Sequence, residues 1–168
     1  MESNTIYTIL GVILITGILI YYLFIQPQKS TAKSPSPAIN SSNQLQLQAY
    51  ERLTLLVDRI ALPNLISRTA GEGLSSKDMQ QLLCKSIKDE FDYNVTQQIY
   101  VSPEVWHAVK NLKEKNILTI NQIGELLPVD ASSFDLKKSI LNYLMNEPKA
   151  NLHELVSEAL SFEAKKHL

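Results

Sequence analysis

Residues 5–25 read Thr-Ile-Tyr-Thr-Ile-Leu-Gly-Val-Ile-Leu-Ile-Thr-Gly-Ile-Leu-Ile-Tyr-Tyr-Leu-Phe-Ile, 21 positions without one charged side chain. Coiled as an α-helix at about 1.5 Å per residue, such a run matches the roughly 30 Å hydrocarbon core of a bilayer. The sequence therefore predicts a single transmembrane helix over 5–25 with the lipid bilayer as its partner. Ile6, Leu10 and Leu14 would sit in hydrocarbon. Tyr7 at one end and Tyr21 and Tyr22 at the other would place their rings at headgroup depth. A cleaved signal peptide calls for a basic start and a shorter apolar run, whereas Glu2 is the only charge before this one.

The flanks orient the segment. Lys29 and Lys33 lie just beyond it, so the excess of positive charge predicts an outside N-terminus and a cytoplasmic C-terminal part, as expected for a single-pass protein of a bacterial inner membrane. Residues 26–43, QPQKSTAKSPSPAINSSN, hold few large apolar side chains and read as a disordered linker. Eighteen such residues span about 25 Å on average, which keeps the C-terminal part near the membrane without fixing its attitude. The chain thus divides into a tail (1–4), a membrane helix (5–25), a linker (26–43) and a soluble domain (44–168).

The soluble part reads as all-α, a small bundle of about five helices. Leu45, Ala49, Leu53, Leu56, Val57 and Ile60 recur at helical spacing over 44–62, a helix ended by Pro63. Ser75 to Asp78 offers a capped start for a second helix over 76–93, with Met79, Leu82, Leu83, Ile87 and Phe91 as its stripe. Ser102-Pro103-Glu104 opens a third: Ser accepts from free N–H groups, Pro stands where no donor is needed, and Glu complements the positive helix end. One long helix to Leu127 is favoured, although Ile117–Ile120 has β-branched character. Pro128, Ser132 and Ser133 then mark a stop and a new start. The fourth helix carries Leu136, Ile140, Leu141 and Leu144, and Pro148 ends it. Asn151 caps a fifth bearing Leu152, Leu155, Val156, Leu160 and Phe162. Strand-like alternation is confined to Gln97–Val101.

Leu47–Leu55 (LQAYERLTL) and Asn94–Ser102 (NVTQQIYVS) resemble segments of an uncharacterised family of small, single-span proteins from Bacteroidetes-type bacteria. That resemblance implies the same layout of anchor and helical domain. It carries over no activity and no catalytic residues.

Several chemistries can be weighed directly. From Gln44 on, 14 Lys and Arg stand against 16 Asp and Glu without a block of like charge, which argues against nucleic acid as a partner. Cys84 is the only cysteine, so no internal disulfide and no Cys-pair zinc site can form. Lys85 and Lys88 lie near it, yet its mid-helix position beside Leu82 and Leu83 predicts an inert, partly buried thiol. Glu104-Val-Trp-His107 has the spacing used in carboxylate-bridged di-metal bundles, which need two such motifs. The other Glu–His pair, Glu163 and His167, lies at a chain end expected to fray. No cofactor is expected. Tyr100 and Trp106 are the candidate interface residues, because rings of this kind concentrate at binding hot spots. Gly71-Glu-Gly73 lacks the residues of a phosphate loop and reads as a turn.

The composition of parts predicts a membrane-tethered interaction or scaffold module, bound to an unidentified protein partner or to itself and without catalytic activity. A metal-binding bundle using Glu104 and His107 is the enzymatic alternative. A self-associating spacer built on helix 44–62 is the structural one, though a stripe under three heptads is short for a coiled coil.

Overall fold

The computed structural model describes residues 41–147 and 152–168. The expected membrane helix, most of the linker, the Pro148 stop and the Asn151 cap fall outside these residues. Among the described residues no helix is long and apolar enough to cross a membrane.

Six α-helices and two short 3-10 turns account for the described chain: α1 (Ser41–Ile60), α2 (Leu62–Arg68), α3 (Ser76–Asn94), a 3-10 turn (Val95–Ile99), α4 (Pro103–Glu125), α5 (Ser133–Asn146), α6 (Leu152–Ala164) and a closing 3-10 turn (Lys165–His167). The all-α expectation holds here, with one helix more than predicted. That helix is α2. Continuing α1 through Pro63 would set the proline ring against the carbonyl one turn back. The chain instead turns at Ala61 (φ −55°, ψ 126°) and restarts with Pro63 in the first turn, where its missing N–H costs nothing. Pro63 thus both ends one helix and seeds the next. At the other end α1 begins at Ser41, so three residues assigned to the linker are helical.

The predicted caps form. Ser75 accepts from Asp78 N at 3.1 Å, Ser102 from Val105 N at 3.2 Å and Ser132 from Asp135 N at 3.3 Å. At Ser132 the box is reciprocal, because Asp135 accepts the Ser132 N–H at 2.9 Å. The third predicted helix is continuous from Pro103 to Glu125, as favoured, and Ile117–Ile120 lies inside it. Gln97–Val101, the one stretch with strand alternation, instead contributes to the 3-10 turn after α3.

α1 is the central packing element, lying against α6, α3 and α4, while α3 also packs on α4 and α5. Leu53, Leu56 and Ile60 of α1 meet Met79, Leu83 and Ile87 of α3, Leu112 and Ile120 of α4, and Leu160 of α6 in one core. The apolar stripe of α1 is therefore consumed inside its own bundle. One internal polar tie crosses it: the amide of buried Asn116 donates to the Ile60 carbonyl at 2.8 Å, satisfying an acceptor at the end of α1.

Five side chains assigned to the buried stripes are exposed: Leu45, Leu82, Leu141, Leu155 and Phe162. Three of them adjoin another apolar residue directly, as in Leu82-Leu83, Ile140-Leu141 and Leu155-Val156. Neighbours stand 100° apart on a helix, so one member of each pair takes the core and the other faces outward.

The starts of α3 and α5 are joined side by side. Ser75 and Ser132 form an isolated antiparallel bridge, with Ser76 N donating to Ala131 O at 2.9 Å and Ser133 N to Leu74 O at 3.0 Å. Gly73 turns the chain just before the bridge with φ of 75°, a left-handed conformation that glycine takes without penalty. The expected Gly71–Gly73 turn is this one.

Candidate interaction surface

Glu104 lies in the first turn of α4 and His107 one turn on, and both side chains face solvent. A di-metal bundle needs such ligands projecting inward from several helices. Among the described residues no group of three or more His, Cys, Asp and Glu is placed to hold a metal. The paired loops give no calcium pattern either: six residues after Gly73, where a calcium loop sets a bidentate glutamate, stands buried Met79.

The chain end is docked, not frayed. Tyr50 of α1 donates its hydroxyl to Glu163 Oε2 at 2.9 Å, and the His167 ring stacks on it with centroids 5.6 Å apart. Burial, then the hydrogen bond and negative charge of Glu163, push the Tyr50 phenol up to about 12. Glu163 and His167 therefore hold α6 and the last turn against α1.

Cys84 is half-buried in a cleft between α3 and α4, its thiol 3.5 Å from Asn121 Oδ1. Burial pushes its pKa up, against the opposing pull of Lys88 and Lys77. Lys85, next to it in sequence, is paired with Asp89 at 2.5 Å. The thiol is protonated at neutral pH, which is the inert state.

Of the two aromatic candidates, Trp106 is partly buried and stacks on Phe91 at 5.1 Å, so it seals the edge of the core. The Lys113 ammonium lies 4.4 Å from the centroid of that same Phe91 ring. Tyr100 comes directly after the 3-10 turn and is half-exposed. Neither residue lines the cleft between α3 and α4 or the groove between α1 and α3.

A different surface has the composition of an interface. Arg52, Leu55 and Arg59 of α1 face Glu90 and Tyr93 of α3 across a groove of about 480 Å3, floored by Leu56 and Asn94. Arg59 donates through Nε at 2.7 Å and through Nη2 to the same Glu90 oxygen. Arg68, at the end of α2, approaches that oxygen at 3.7 Å. Arg52 lies over the Tyr93 ring, 5.3 Å from its centroid. Leu55 is 58% exposed and Tyr93 75% exposed, so both walls of the groove are apolar and open to solvent. These three arginines are all the arginine in the chain. The sequence offered a signal in their confinement to 52–68, but Glu90 and Tyr93 join them only through the packing of α3 on α1.

Helices packed round one apolar core, with no strand among the described residues, place the protein in the class of small all-α bundles. Within that class it belongs to a family of unknown function, DUF7935, whose model matches residues 2–167. The chain thus falls in an uncharacterised family, in keeping with the coarser part of the resemblance noted in its sequence. Comparison with curated proteins and with solved structures yields no match.

Proposed function

We propose that this protein is a membrane-anchored interaction module that recruits or organises a protein partner and performs no chemistry itself. The uncharged run 5–25 supplies the anchor, the lysines after it favour a cytoplasmic domain, and the Ser- and Pro-rich stretch gives that domain reach. The observation that carries the reading is the groove between α1 and α3. Arginine and tyrosine, the residue types that dominate binding hot spots, stand there beside an exposed leucine at the surface of a bundle whose core is already closed.

The test is a cross-linking pull-down from membranes with the full chain, against a control carrying residues 1–43 alone. A defined partner, or the chain itself, is expected above that control. Recovery of neither would sink the proposal. Carbonate extraction of the same membranes checks the anchor, since a chain that spans the bilayer stays in the pellet.

A further inference from the structure

Resting on the reading as an interaction module, we propose that the groove between α1 and α3 docks an acidic peptide segment of the partner. Its carboxylates meet Arg52 and Arg59, and its apolar side chains lie against Leu55 and Tyr93.

Charge complementarity selects this occupant. The whole chain carries a formal charge of −1, yet Arg59 and Arg68 both reach the carboxylate of Glu90 and Arg52 lines the same groove. Within the lining of the groove Arg52 and Arg59 stand against Glu90 alone, a surplus of one guanidinium charge. Among the described residues Arg52 makes no ion pair, and its guanidinium lies over the face of Tyr93. Arg59 uses Nε and Nη2 on Glu90, so part of its five-donor fork remains for a second acceptor. Glu90 is in effect an internal example of the ligand, a carboxylate held between two arginines.

The surroundings argue for a narrow ligand. Exposed Glu51 and Asp58 adjoin Arg52 and Arg59 on α1. A broad anionic plane such as a lipid surface would meet these carboxylates together with the arginines and be repelled by them. A single segment lying along the groove touches the arginines alone. Leu45, Arg52 and Arg59 stand seven residues apart, about two helical turns each, so the face continues along one side of α1 with an exposed leucine at its end. That alternation of charge and apolar contact suits an amphipathic segment with Glu and Leu at helical spacing.

The experiment uses the full chain in non-ionic detergent micelles. A fluorescein-labelled helical peptide with a Glu and Leu face is titrated by anisotropy, beside the same peptide with Gln for Glu. The acidic peptide is expected to bind, more weakly as salt rises, and the Gln peptide about tenfold less well. Arg52→Gln and Tyr93→Ser should each weaken binding about tenfold, and Phe134→Ser, an exposed change outside the groove, should leave it unchanged. All three sites are exposed, and circular dichroism checks that each variant folds.

Absence of peptide binding, equal binding of the Gln peptide, or indifference to Arg52→Gln overturns the inference. So does displacement of the peptide by phosphatidylglycerol mixed into the micelles, which would assign the groove to lipid. A partner whose recovery by pull-down survives Arg52→Gln leaves the module standing and removes this groove. No partner at all removes both.

Discussion

At the scale of single residues, Tyr50 couples the two ends of the described domain. It is only 3% exposed, and its hydroxyl reaches a carboxylate 113 residues later. The folded phenol keeps its proton up to about 12, against an ordinary value of 10.0. The stability this difference contributes is therefore complete below pH 10 and is lost as pH rises through 12. NMR of labelled tyrosine should show one phenol titrating near 12, absent in Tyr50→Phe. A Tyr50 midpoint at the ordinary value would mean that the hydroxyl faces water. Tyr50→Phe should also lower stability by about 1 kcal/mol, the usual net worth of one hydrogen bond, read from the urea midpoint. Nothing in Ala49-Tyr50-Glu51 marks this tyrosine beforehand. Its role depends on where α6 lies, just as that of Asn116 depends on where α1 ends.

At the scale of elements, the helix starts were readable because capping is local. Ser75, Ser102 and Ser132 act on N–H groups three residues ahead, so sequence spacing and spatial distance coincide. Asp135 titrates below the ordinary carboxylate range because the Ser132 hydroxyl, and then its backbone N–H, donate to it. This stabilisation is present above the ordinary carboxylate pKa and fades as pH falls through the lowered one. Ser132→Ala should cost about 1 kcal/mol and move the Asp135 midpoint back up, both measurable by thermal unfolding and by NMR titration. An unmoved midpoint would mean that the box does not form in solution. Adjacent apolar pairs were less readable, since periodicity alone does not say which of Ile140 and Leu141, or of Leu155 and Val156, faces the core. The neighbouring helix decides that.

At the scale of the whole molecule, α6 closes the bundle on α1. Val156 and Leu160 are buried there, and burying such side chains contributes about 1.5 to 3 kcal/mol each. Their sum, about 3 to 6 kcal/mol, reaches the lower end of the net stability of a small domain, about 5 to 15 kcal/mol. A chain ending at Glu147 should accordingly lose its cooperative thermal transition and bind ANS. Retention of a sharp transition would show that α1 to α5 suffice alone.

Much of the fold was present in the sequence by itself: the all-α class, the starts of α3, α4 and α5, and the run of α4 through its β-branched stretch. Each depends on interactions within one or two turns, which are the distances that spacing encodes. The tertiary structure decided the rest. It set the bridge between Ser75 and Ser132 and the docking of Glu163 and His167 on Tyr50. It also brought Arg52, Arg59 and Arg68 around Glu90 and Tyr93. Those groupings join residues tens of positions apart, and side chains that far separated meet only once helices have packed.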